Sequence, residues 1–84
     1  MTKFRKKPVE VEAMQWTEES ILEIIQWLVK NNAEYAWESI RLYIRTLEGT
    51  VIAHPNDWLI RGVEGEFYPC KDSIFKKTYE EVEL

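Results

Sequence analysis

Apolar and polar residues alternate from Val9 to Trp16, with Val9, Val11 and Ala13 on one side and Glu10, Glu12 and Met14 on the other. Strict alternation predicts a half-buried strand. Pro8 stands at its start, where a missing backbone donor is tolerated. The period then changes: Ile21, Ile24, Ile25 and Leu28 recur at i, i+3, i+4 and i+7, the apolar stripe of a helix over residues 18–31. Leu22 and Val29 widen the stripe, and Glu19, Glu23, Gln26 and Lys30 form the wet face. Thr17 is the expected N-cap, with Glu18 and Glu19 beside the positive end of the helix dipole. Asn31-Asn32 ends the helix, because Asn tolerates the left-handed conformation that closes one. Trp27 falls at the edge of the stripe and is expected to lap onto the core.

Period two returns downstream. Residues 34–37 predict a short strand. Ile40, Leu42 and Ile44 alternate with Arg41, Tyr43 and Arg45 in a better one, which turns at Glu48-Gly49 and returns through 50–53. The stretch from Asn56 to Cys70 holds the densest set of ring, Gly and Pro residues. It predicts a hairpin in which Gly62 and Gly65 bracket the reversal. Trp58 and Ile60 should point one way, Leu59 and Arg61 the other. Pro69 cannot donate to a ladder, so it ends its strand or places it at an edge. A single helical turn is expected at 71–76 and a last strand at 78–82, pairing beside the first. The sum is an α+β fold in one domain over residues 1–84: one amphipathic helix packed on a twisted, mostly antiparallel sheet, with residues 1–7 as a basic arm.

Composition narrows the function classes. Of eleven Lys and Arg, four (Lys3, Arg5, Lys6, Lys7) fall in the first eight residues, which leaves seven against fifteen acidic residues, a balance of −8 for the rest. Nucleic-acid affinity rests on neutralising phosphates, so that balance argues against a nucleic-acid partner. One cysteine excludes an internal disulfide and suits a reducing cytosol. No apolar run approaches the ~18 residues of a membrane span, and no apolar core follows the basic opening as in a secretory signal.

Candidate chemistry is sparse. Cys70 needs a base to become a thiolate, and nothing in the sequence places His54 beside it. One Cys and one His make a weak zinc set. Asp57 and Glu64 read as turn residues; Glu66, inside a strand, does not, and it or Cys70 is the residue a hydrolytic enzyme would use. Arg41, Arg45 and Arg61 sit on strands. On a shared face they could bind an anion or pair with Glu66, with Trp58 or Tyr68 stacking on a base. No phosphate loop, dinucleotide fingerprint or nucleophile elbow is present, and no pattern asks for a cofactor or metal.

Phe4-Arg5-Lys6-Lys7-Pro8-Val9, Glu12-Ala13-Met14-Gln15-Trp16, the run from Asp57 to Lys71, Ile74-Phe75 and Thr78-Tyr79-Glu80 together resemble a family of small uncharacterised proteins encoded by bacteriophages and prophages. The likeness spans nearly the whole chain apart from the helix and the loop after it. It implies a phage-derived protein in the host cytosol and brings no catalytic residue. The expected function is an accessory protein that binds rather than catalyses, as a homo-oligomer, with a host or phage protein as further partner. The alternative is a protein that sequesters a small anionic ligand such as a nucleotide signal. Arg41, Arg45, Trp58, Arg61, Glu66 and Tyr68 are the candidate contact residues.

Overall fold

The two periodicities fold into eight elements in a computed structural model, which describes residues 1–82. In chain order they are β1 (Glu12–Gln15), α1 (Ile21–Lys30), β2 (Tyr35–Glu38), β3 (Arg41–Thr46), β4 (Gly49–Ala53), β5 (Trp58–Arg61), β6 (Phe67–Cys70) and α2 (Asp72–Thr78). The class is α+β, as expected, but the strands form two sheets rather than one. Each is antiparallel and three-stranded, ordered β1-β5-β6 and β2-β3-β4. They meet along β4 and β6.

α1 begins at Ile21, one turn later than Thr17 predicts. Thr17 and Ser20 instead hold a preceding turn reciprocally. The Thr17 N–H donates to Ser20 Oγ at 2.9 Å and the Ser20 N–H to Thr17 Oγ1 at 3.2 Å. Glu18 and Glu19 sit in that turn. The far end closes as expected. Asn32 takes φ 57°, the Asn32 N–H donates to the Val29 carbonyl, and the Ala33 N–H reaches back to Leu28 at 2.9 Å. This is the paired arrangement that satisfies a helix's last carbonyls.

The core is Trp16, Ile24, Leu28, Leu42, Ile44, Ala53, Leu59 and Phe67. α1 lays Ile24 and Leu28 between the sheets, and each sealed aliphatic side chain contributes roughly 1.5–3 kcal/mol before entropy. Trp27 laps onto this core, meeting Phe67 edge-on at 5.0 Å.

The hairpin forms as the glycines predict, with the Gly65 N–H on the Gly62 carbonyl at 3.0 Å and Gly65 at φ 86°. Pro69 lies in β6, an edge strand of its sheet. Leu59 faces α1, whereas Ile60, also fully buried, faces the other way with Trp58, Tyr68 and Cys70. A second cover is therefore required, and α2 supplies it. Phe75 stacks on Trp58, and Tyr79 stacks on Phe75 at 5.0 Å. This overturns the strand expected at 78–82: Thr78 ends α2, and residues 79–82 are in no strand. Phe75 and Tyr79 are four apart, a helical spacing that puts both rings on one face. The helical turn expected at 71–76 forms and runs on to Thr78.

Residues 1–11 form no regular element and are mostly exposed, yet Lys6 is held. Its ammonium donates to the Tyr79 hydroxyl at 2.9 Å and lies 4.7 Å from that ring's centroid.

Candidate functional site

A cleft of ≈ 1170 Å³ opens between the β3–β4 turn, the β5–β6 turn and the end of α1. Both turns exist because a glycine takes φ that other residues rarely adopt, Gly49 at 121° and Gly65 at 86°. Each turn carries a glutamate, Glu48 and Glu64, and Glu34 and Glu66 join them on the walls. Arg45 is the cationic residue of the lining. Four carboxylates against one guanidinium, all on exposed residues, give the cleft a negative balance of charge.

Three of the six residues singled out in the sequence, Arg45, Glu66 and Tyr68, line this cleft. The other three do not. Arg41 shares the outer face of its sheet with Arg45 and Tyr43, as alternation predicts. Arg61 lies on the other sheet, so the three arginines share no face. Nor does Arg61 pair with Glu66, because strand alternation puts them on opposite faces of the hairpin. Its guanidinium instead meets Glu12 at 3.3 Å and lies under Gly65, where a Cβ would come 3.3 Å from Nη2. Trp58 is committed to packing: one face is covered by Phe75, and its indole N–H donates to Asp72 Oδ1 at 2.8 Å. Those two contacts leave its ring poorly placed to stack on a base.

Glu66 also has a local role. Its carboxylate accepts the Glu64 N–H at 3.1 Å and folds over Gly62, so closely that a Cβ there would overlap Glu66 Oε1. Gly at 62 thus makes room for the side chain that ties down the turn. Cys70 lies on the same face as Glu66, four residues along. At roughly 3.3 Å per strand residue that is about 13 Å, outside proton-transfer reach. Burial pushes the Cys70 thiol up, and the Asp57 carboxylate pushes it further, against the opposing pull of Lys6. The thiolate form is thereby disfavoured, the reverse of what a nucleophile requires. His54 stands exposed in the β4–β5 loop, its N–H on Asp57 Oδ2 at 2.9 Å.

Beside the cleft, Tyr68 and Tyr79 face each other with hydroxyls 3.4 Å apart. Their phenols are driven in opposite directions. Burial, the hydrogen bond to Tyr79 and the nearby Glu66 charge push Tyr68 well above the ordinary phenol value. The hydrogen bonds from Lys6 and Tyr68 pull Tyr79 below it. Asp72, in the first turn of α2, is held below the usual carboxylate range by the Trp58 indole and by Lys76, 3.1 Å away.

Sequence reading missed Glu34 and Glu48 as wall residues and took Glu64 as a turn tip alone. The two turns were legible singly; their meeting depends on β4 lying against β6, which no local pattern records. Among the described residues no group of three or more His, Cys, Asp or Glu is placed to hold a metal ion, and no helix is long and apolar enough to cross a membrane. No protein-family model, no curated protein and no solved structure matches this chain.

Proposed function

We propose that the chain is a binding protein rather than an enzyme, that it works as a homo-oligomer, and that its cleft receives a positively charged segment of a partner protein. The observation that carries this reading is the cleft's lining, in which Glu34, Glu48, Glu64 and Glu66 outnumber the single cationic residue, Arg45. The same lining opposes a small anionic ligand: a nucleotide phosphate would have one guanidinium to meet and four carboxylates to overcome. The groups an enzyme would need are engaged otherwise, with Glu66 on its own turn and the Cys70 thiol held protonated. Self-association is supported by large apolar side chains left in water, Leu22, Val29, Trp37 and Ile40 among them. A phage or prophage origin and a place in the host cytosol rest on the resemblance of the chain's opening and hairpin motifs.

The test is calorimetric titration with an oligolysine peptide and, separately, with nucleotides. Saturable peptide binding that weakens with salt and is lost in Glu34→Gln/Glu48→Gln/Glu64→Gln supports the proposal. Peptide binding untouched by those changes, or saturable nucleotide binding with none to the peptide, overturns it.

A further inference from the structure

The sheet β2-β3-β4 has one edge, β4, against β6 and the other, β2, paired with no further strand among the described residues, although the Trp37 ring of β2 meets Trp16 edge-on at 6.2 Å on the core face. The Arg45 N–H donates to the Glu34 carbonyl at 2.9 Å, which makes Glu34 and Arg45 a hydrogen-bonded pair. Ladder alternation then turns Ala36 and Glu38 toward β3 and points the N–H and C=O of Tyr35 and Trp37 outward. An open edge of this kind is a template for another strand.

The layer above that edge is unfinished too. Trp27 marks the flank of α1 that faces β6, and Ile24 and Leu28 face the core. The opposite flank carries Leu22, Ile25 and Val29, on the side where β2 lies. Leu22 is 73% exposed, Val29 58%, Ile40 62%, Trp37 47% and Tyr35 39%. At these exposures the five side chains leave on the order of 500 Å² of largely apolar surface in water, against the roughly 800 Å² per partner, polar rim included, of a specific interface.

We infer that β2 pairs antiparallel with β2 of a second copy of this chain, making a six-stranded sheet with the two α1 helices side by side above it. This rests on the self-association proposed above and names its surface. A lone peptide strand would satisfy the edge but leave the helix flank wet. A two-fold axis completes both layers at once, since it brings strand to strand and helix to helix. The register places Trp37 opposite its own copy and Glu38 opposite Ala36. The neighbouring register, with Tyr35 opposite Trp37, would set Glu34 against Glu38 and is disfavoured by like-charge contact.

Sedimentation equilibrium over a hundredfold concentration range tests this on the wild type and two variants. Trp37→Pro removes the outward N–H while sparing the bonds to β3. Leu22→Lys/Val29→Lys charges two exposed helix positions and leaves the strand untouched, so it keeps the test valid if Trp37→Pro folds poorly. The expected result is a wild-type dimer whose dissociation constant rises at least about tenfold in both variants. A wild-type dimer that persists unchanged in both overturns the surface and leaves self-association standing. A wild type that stays monomeric throughout overturns both.

Discussion

Trp58 lies flat against Phe75, their ring centroids 4.1 Å apart and their planes 6° from parallel. This stack is how the second face of the hairpin is closed, and the Asp72 carboxylate fixes the indole's orientation by accepting its N–H. Phe75 is half-buried, so Phe75→Ala should cost about 2 kcal/mol, less than the ~3–5 kcal/mol of a fully enclosed Phe. Urea unfolding measures the loss. The Trp58 emission should shift toward that of a wet indole even in the folded variant.

The paired tyrosines should titrate apart. A phenol lowered on folding, as Tyr79 is, stabilises the fold above the unfolded value of about 10 and loses that contribution as pH falls through its folded value. A phenol raised on folding, as Tyr68 is, contributes fully below about 10 and loses it as pH rises toward its folded value. Phenolate absorbance should therefore show one tyrosine ionising early and one resisting. Tyr79→Phe should remove the early step, and Lys6→Met should move it to higher pH. A single step in the wild type, near the ordinary value, would show that the pair does not form.

Cys70 should react sluggishly with a disulfide reagent at neutral pH while the chain is folded, because burial and Asp57 hold its proton. Asp57→Asn should speed the reaction modestly, and denaturant should speed it by at least about tenfold as the thiol becomes both exposed and more acidic. Equal rates folded and unfolded would contradict the placement of the thiol.

Gly62 and Glu66 should be energetically coupled. Gly62→Ala displaces the Glu66 carboxylate from the Glu64 N–H and should cost about 1 kcal/mol, the scale of one such hydrogen bond. In a Glu66→Ala background the side chain that collides is gone, so the same change should cost clearly less. The difference is read from a double-mutant cycle; strictly additive effects would mean the glycine serves only the backbone.

Much of this fold is written locally. The Ile21-Ile24-Ile25-Leu28 stripe, the Asn32 stop, the Gly62–Gly65 reversal and the edge position of Pro69 each follow from a few adjacent residues and form as those residues predict, whereas Leu22 and Val29, expected to widen the stripe, stay exposed. What the sequence conceals is set by partners far apart in it. β1 pairs with β5, Glu12 opposite Arg61, rather than with a strand after α2, so one expected sheet becomes two. The consecutive apolar run Trp58-Leu59-Ile60 was itself a clue, since a hairpin apolar on both faces needs two covers. The Phe75–Tyr79 spacing named the second cover as a helix. For the site, side alternation could already place Arg61 and Glu66 on opposite faces. The meeting of the Glu48 and Glu64 turns could not be read, because it depends on how the sheets abut.

The clasp between Lys6 and Tyr79 joins positions 73 apart in the chain. During synthesis α1 and the sheet β2-β3-β4 are made before residue 79, so the face bearing Ile60 and Cys70 stays wet until Tyr79 has emerged. Sealing that face therefore waits for α2 and Tyr79, and a nascent chain stalled before residue 79 would expose it to chaperones and proteases.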